Sequence, residues 1–476
     1  MATTTGTDPR PAAEHPVAGL DLHLDRPDGR VRDSLMEALR DAIRSGRLAP
    51  GTRLPSSRTL AADLGVARNT VARAYSGLVA EGWLASQHGS GTTVSPRAAG
   101  VRRVQTARRR PPPPRQPDHD LRPGHPDLSS FPRYEWSRAV KRALQAAPTE
   151  AFGYADPRGR PELRESLAEY LARARGVRSD PDDIVVCSGA AQGLDLLAAA
   201  LADTGVEAVA VEEFGLPTQR RSLARAGLRC PPLAVDADGA DVHALEAMPG
   251  VGAVVLTPAH QFPLGVPLHA DRRAAVVDWA RRTGGVIVED DYDGEFRYDR
   301  KPVGALHGDD PERVVYLGTA SKSLAPGLRL GWLLLPRRLV EAVARQKGET
   351  EETCGFVEQT AMAEFIRSGS YDRHIRTMRA QYRRRREQLV TAVAHTSPGT
   401  AVTGLPAGLH AVLTLPGGGE SALATRPSWR RLAVEGLDLY RHPETRSDRD
   451  GVVVGFAAPA PSAWSAALAA LVAQLP

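Results

Sequence analysis

An amine, a carboxylate and a phenol stand just past apolar runs of this chain, and together they define a chemistry. In RVVYLGTASKSLAPGLRLGW, Lys322 leaves a run between two serines, and Arg329 follows seven residues later. A lysine desolvated at a sheet edge can shed its proton and attack a carbonyl carbon to form a Schiff base. After GGVIV comes EDDYDGEF, where Asp290 and Tyr292 are two residues apart. A continuing strand would turn both to one side and Asp291 to the other. A carboxylate and a phenol on one side suit an aromatic base that carries a ring nitrogen and a hydroxyl. Asp293 and Glu295 read instead as a solvated acidic loop.

Two further segments belong with these. After DIVVC, the stretch SGAAQG runs into the helix GLDLLAAALA. Small residues and backbone amides at a helix N-terminus can cradle a phosphate, although glycine-rich strand-to-helix turns are common. TPAHQFPLG follows GAVVL and brings His260 and Gln261 to the same rim. A phosphate cradle, an aspartate for a pyridinium nitrogen, a phenol for a ring hydroxyl and a Schiff-base lysine are the parts that pyridoxal phosphate requires. No single part is specific; the combination is.

These groups need strands to hold them. Seven short runs, DIVVCSG, EAVAVEE, CPPLAVD, GAVVLTP, GGVIVED, RVVYLGT and LRLGWLLLP, are rich in Val, Ile and Leu without polar alternation. That pattern suits strands buried on both faces of a mostly parallel α/β sheet. Ligands then sit beyond the carboxyl ends of the strands, where the polar residues fall.

The N-terminal part reads differently. RVRDSLMEALRDAIRSGR places Val31, Leu35, Met36, Leu39, Ala42 and Ile43 on one helical stripe ended by Gly46. Ser56 and Ser57 can cap a short second helix that Gly65 closes. A third begins in VARNTVARAYSGLVAEGW, with Val71, Tyr75, Leu78 and Val79 inward. WLASQHGSGTTVSP reads as strand, glycine turn and strand. This is a helix-turn-helix with a wing. Its recognition helix would lay Arg68, Asn69, Thr70 and Arg73 in the major groove of double-stranded DNA, arginine suiting guanine and asparagine adenine.

Length and composition fit this division. The chain has 476 residues, 42% apolar and 25% charged, which is ordinary globular composition and room for two to four domains. Cys187, Cys230 and Cys354 form no CxxC pair, which disfavours a disulfide scaffold or a zinc module and fits a reducing compartment. No run is long enough to span a bilayer, and the start lacks a leader pattern, so a cytoplasmic protein is expected. The net charge of +5 divides into +1 over residues 1–96, +7 over 97–117 and −3 over the remainder. The tract RAAGVRRVQTARRRPPPPRQP therefore reads as an extended basic linker. The expected boundaries are a DNA-binding domain over 20–95, a linker over 96–118 and a cofactor-binding body over 119–476.

RLPSSRTLAADLGVARNT and QHGSGT resemble the winged helix of the GntR family of bacterial transcription regulators. The body resembles the fold-type I aminotransferases, and the whole chain is similar to the MocR subfamily of GntR regulators. The resemblance implies that Arg58, Arg68, Asn69, Thr70 and the wing residues His88 and Gly89 touch operator DNA. It implies Lys322 as the internal aldimine, Asp290 at the ring nitrogen, and Tyr292 at the ring hydroxyl with Gln261 assisting. Arg329 and the amides of Ala191 and Gln192 would hold the phosphate, and Tyr154 would reach it across a head-to-tail homodimer. The implied function is regulation by a small amine, an amino acid or the vitamer itself. A working aminotransferase with an accessory DNA-binding domain is the alternative. Two departures stand out: EEFGLP puts Leu216 and Phe214 where the family has a stacking tyrosine and a proline, and GVVVGFA has no arginine nearer than Arg449.

Overall fold

A computed structural model describes residues 31–87, 91–96, 117–298, 304–349 and 354–476. Two compact units divide the chain, residues 1–115 and 116–476.

In the first unit, helix α1 (Val31–Arg44) buries Leu35, Met36, Leu39, Ala42 and Ile43. Val31, at its open end, is exposed. Helix α2 (Ser57–Leu64) starts where the Ser56 hydroxyl accepts the Thr59 amide at 3.1 Å. It ends at Gly65 with φ 64°, a left-handed conformation that costs glycine little. Helix α3 (Arg68–Ala80) buries Val71, Ala74, Tyr75 and Leu78. Val79, expected inside, is half-buried, because residues three and four apart share the packed face and Val71, Ala74, Tyr75 and Leu78 already fill it. Strands β1 (Leu84–Gln87) and β2 (Gly91–Val94) pair antiparallel as the wing. The inward faces meet in one core with Leu48, Leu54, Leu60, Leu84 and Val94. His88 and Gly89 lie outside the described residues, as does nearly all of the basic tract.

The second unit opens with α4 (Arg133–Ala146) and α5 (Pro161–Arg175), then alternates. In order come β3 (Ile184–Cys187), α6 (Ala190–Asp203), β4 (Ala208–Glu212), α7 (Pro217–Arg225) and β5 (Pro232–Leu233). A small hairpin of β6 (Val235–Asp236) and β7 (Gly239–Ala240) follows, then β8 (Val251–Leu256), α8 (Ala270–Thr283), β9 (Val286–Asp290), β10 (Val314–Thr319) and β11 (Gly331–Leu334). Seven of these strands form one sheet in the order β3-β11-β10-β9-β8-β4-β5. Neighbours from β10 to β5 are parallel, whereas β11 runs antiparallel to both β10 and β3. Strands β3, β4, β9, β10 and β11 are buried at every residue, which is why their sequences do not alternate. Of CPPLAVD only Pro232 and Leu233 join the sheet; Val235 and Asp236 belong to the hairpin.

Helices α9 (Arg337–Glu349), α10 (Phe356–Arg367) and α11 (Ser370–Thr396) lead to a second, antiparallel sheet. Its strands β12 (Ala401–Thr403), β13 (His410–Thr414), β14 (Glu435–Gly436) and β15 (Gly451–Gly455) lie in the order β12-β13-β15-β14. A short α12 (Gly419–Ala424) follows β13, and α13 (Trp464–Val472) closes the chain. One core cluster joins the faces of α5, α10 and α11 to residues of both sheets. The loops after β8, β9 and β10 emerge at one end of the large sheet, and all the polar groups read for the cofactor except Tyr154 and the SGAAQG turn lie on or just beyond them.

Candidate functional site

Asp290 is the last residue of β9, and Lys322 follows β10 by three residues. Since β9 and β10 are parallel neighbours, both side chains leave at the same rim. The Lys322 amine donates to the carbonyl of Gly124 at 2.7 Å. Gly124 has φ 69°, a conformation that strains other residues, and a Cβ there would stand 3.3 Å from the amine and crowd it. Burial pushes the Lys322 amine below its ordinary range, with Asp290 and Asp293 pulling it back. A lysine depressed in this way is a better nucleophile near neutral pH.

One oxygen of Asp290, Oδ2, accepts from the Gln219 amide at 2.6 Å. The other, Oδ1, is buried and has no hydrogen-bond partner among the described residues. Burial is the first cause that pushes this carboxyl up to about 7; Lys322 and the Gln219 bond lower it, while Asp291 and Asp293 raise it. In the unfolded chain it would titrate near about 3.9. The raised group therefore contributes stability that is full below about 4 and is lost as pH rises towards 7. Asp290→Asn should remove that loss. The melting temperature of the cofactor-free variant, relative to the parent, should climb between about pH 4 and 7 and level off above; a pH-independent difference would contradict the burial.

Asp291 is turned to the opposite side, as expected. Arg175 grips it through two nitrogens at 2.6 and 2.8 Å, and the Tyr316 hydroxyl donates to it at 2.7 Å. The solvated acidic loop expected at Asp293 and Glu295 is not there. Both are buried, because the chain folds back under β13 after β9 and Asp293 acquires a partner, the His260 imidazole at 2.9 Å. Gly408 permits this approach: a Cβ there would sit 2.4 Å from Asp293 and 2.5 Å from the His260 ring.

The Tyr292 hydroxyl lies 3.0 Å from His260 Nδ1 and donates to the His260 carbonyl at 3.1 Å. Gln261, expected to assist Tyr292, is turned away from it. Its amide nitrogen donates to Phe214 O, Phe262 O and Glu212, and its oxygen accepts the Leu264 amide. Both the nitrogen and the oxygen of this buried amide are engaged within the protein, so Gln261 ties its own loop to the end of β4 while His260 takes the tyrosine.

On the other side of the rim, α6 starts at Ala190 behind Gly189, which has φ 99°. Ala191 and Gln192 occupy its first turn, where amides point out of the helix and the dipole is positive. The Arg329 guanidinium would lie 3.4 Å from a Cβ on Gly189, so Arg329 and this turn are brought together. Arg329 itself has φ 51°, and among the described residues its guanidinium forms no hydrogen bond or ion pair. Tyr154 is fully exposed on its own protomer and is not brought to the rim. Phe214 is buried in the core below, and Leu216 packs at the edge of that core. Arg449 lies over the Phe214 ring at 5.9 Å and donates to Val235 O; it is engaged below the site.

Gln219, Gly124, Asp293 and the role of His260 were not legible as parts of the site. Gln219 is the third residue of α7, after Pro217 at its first position, and nothing in EEFGLPTQ marks it. Gly124 follows proline, the one hint that the chain turns there.

In the first unit, Arg58, Arg68, Asn69 and Arg73 are exposed and Thr70 is half-buried. Arg68, Asn69 and Thr70 form the first turn of α3, whose Ala67 cap supplies no side-chain hydrogen bond. Arg58 stands in the first turn of α2. Among the described residues no helix is long and apolar enough to cross a membrane.

A winged helix-turn-helix followed by a fold-type I aminotransferase body defines the class of protein. The family model for bacterial regulatory proteins of the gntR family matches residues 32–94, and that for class I and II aminotransferases matches residues 128–436. The probable rhizopine catabolism regulatory protein MocR of Rhizobium meliloti is 34% identical over 462 residues, 92% of each chain. The pyridoxine biosynthesis transcriptional regulator PdxR of Corynebacterium glutamicum is 33% identical, covering 90% of this chain and 92% of its own. The transcriptional regulator TauR of Rhodobacter capsulatus is 32% identical, covering 86% and 88%. The chain belongs to the MocR-type GntR family of transcription regulators. An archaeal alanine:glyoxylate aminotransferase superposes with a TM-score of 0.68 at 24% identity, covering 75% of this chain and 90% of that one. A multiple substrate aminotransferase from Thermococcus profundus gives 0.67 at 23%, with the same coverage. These structures share the fold.

Proposed function

We propose that this regulator binds pyridoxal phosphate at the rim of its large sheet and reads operator DNA through α3, so that a small amine, an amino acid or the vitamer sets its hold on DNA in the cytoplasm. The observation that carries this reading is the pairing of a depressed, half-buried amine at Lys322 with a buried oxygen of Asp290 that has no partner among the described residues. An unsatisfied buried carboxylate oxygen is costly, and a pyridinium N–H would satisfy it. The donor set fits the cofactor elsewhere too: Arg329 has no protein partner among the described residues, and the first turn of α6 favours a phosphate.

In this reading, pyridoxal phosphate supplies an aldehyde carbon that amines attack. Lys322 offers the amine, and Gly124 O holds it in place. Asp290 would keep a proton at the ring nitrogen, Tyr292 would bond the ring hydroxyl, and Arg329 with the amides of Ala191 and Gln192 would hold the phosphate. Tyr154 would approach from a second copy in a head-to-tail dimer, which its full exposure allows. A ligand shifts DNA affinity only as far as it binds one conformation better than another. The test adds pyridoxal phosphate and then a panel of amines and amino acids to purified protein, following the near-visible band and operator affinity together. One panel member should change both. If pyridoxal phosphate gives no band, the body is a cofactor-free platform; steady turnover of amino acid with keto acid would make it an enzyme.

A further inference from the structure

We propose that Gln219 is the positioning residue that aims Asp290 at the cofactor ring and so decides how firmly the ring is held. The inference rests on pyridoxal phosphate being the bound group, and it deepens that reading.

The Asp290 carboxylate ends β9 with two oxygens in different circumstances. Oδ2 is held by Gln219 at 2.6 Å, and Oδ1 has no partner among the described residues. A carboxylate rotates about its last torsion in a broad well, so a single fixed donor determines which oxygen faces the pocket. Gln219 is well placed to be that donor. It sits at the third position of α7, a nine-residue helix whose first turn is fixed by Pro217, and its own amide is bonded back to Leu216 O at 3.0 Å. Helix α7 belongs to the β4–β5 crossover, so a residue outside β9 orients the residue at its end.

The charges around Asp290 make a neutral donor the suitable one. Asp291 and Asp293 follow it on its own loop, Glu212 at the end of β4 and Tyr292 interact with it, and among the described residues Lys322 is the cation that acts on it. A second cation at position 219 would compete with the ring for Asp290, and a carboxylate there would repel it. The amide supplies a hydrogen bond without altering the charge of the pocket. Leu216, three residues earlier at the N-cap of α7, packs at the edge of the core beneath.

Two variants test the role. Gln219→Leu keeps the bulk and removes the donor. It should weaken pyridoxal phosphate binding about tenfold, the worth of one hydrogen bond to a charged group, and raise the midpoint of the pH titration of the near-visible band by about one unit. The rise follows because a ring that loses its proton to solvent no longer opposes protonation at the neighbouring nitrogen. Gln219→Glu gives a second, internal control. Below the pKa of the new carboxyl its O–H replaces the amide donor, and above it the donor is gone and a charge is added. Its affinity relative to the parent should therefore be near one at about pH 5 and fall steeply by about pH 8. A parent-like midpoint and affinity within twofold in the leucine variant, or a relative affinity of the glutamate variant that ignores pH, would overturn the proposal. Loss of the band from the parent protein, or its survival in Lys322→Ala, would instead overturn the cofactor reading itself.

Discussion

Lys322→Ala will bind pyridoxal phosphate without giving the near-visible band, and with much reduced retention through gel filtration. The amine donates to Gly124 O at 2.7 Å and, among the described residues, forms no ion pair, so its removal costs the fold little. What it removes is a covalent bond, and the expected effect on the band is total rather than graded. Among the described residues Lys322 is the cation that lowers Asp290, so loss of the ammonium should move the titration of that carboxyl, and with it the pH dependence of the remaining non-covalent affinity, to higher pH. Lys322→Arg separates the two effects: it keeps the charge beside Asp290 but cannot attack an aldehyde at neutral pH. The band should be absent from both variants, while the arginine protein keeps more of the pH profile. An identical band in parent and alanine protein would mean that the aldehyde has reacted elsewhere, and Lys322 would lose its role.

The sheet and its rim were legible because buried parallel strands leave continuous apolar runs, and polar residues at their ends have few structural reasons to be there. All seven runs contribute to one sheet, and Lys322, Asp290 and Arg329 fall where that argument puts them. What could not be read were contacts made between distant segments. Gln219 reaches Asp290 across 71 positions and Gly124 reaches Lys322 across 198, and neither residue has a type or neighbour that announces a partner. Gln261 and His260 show the same limit at short range. Both were placed at the rim, but which one faces Tyr292 depends on how the loop satisfies its own backbone, and it does so with Gln261. Asp293 was misread for a related reason: an acidic run looks solvated until the fold supplies an imidazole behind it. The antiparallel second sheet escaped, because β12 and β14 are two or three residues long, too short for a period to show, and β13 is buried at four of its five residues and so does not alternate.

Replacing Arg68 and Asn69 together with alanine should weaken operator binding by on the order of 2 to 6 kcal/mol, about 1 to 3 for each base contact. Both side chains are exposed at the start of α3, and among the described residues neither makes a side-chain hydrogen bond that folding would miss. The buried face of the helix, Val71, Ala74, Tyr75 and Leu78, is untouched, so the melting temperature of the first unit should stay where it is. The loss should depend on sequence, falling on the operator and sparing random DNA, whereas Arg58→Ala at the start of α2 should weaken both alike and lower the salt slope by about one. That contrast separates base reading from phosphate attraction. Should the double variant bind operator and random DNA as the parent does, α3 does not enter the groove. The resulting protein would still carry its cofactor pocket, and the coupling between amine and DNA would have to be sought in another surface of the first unit.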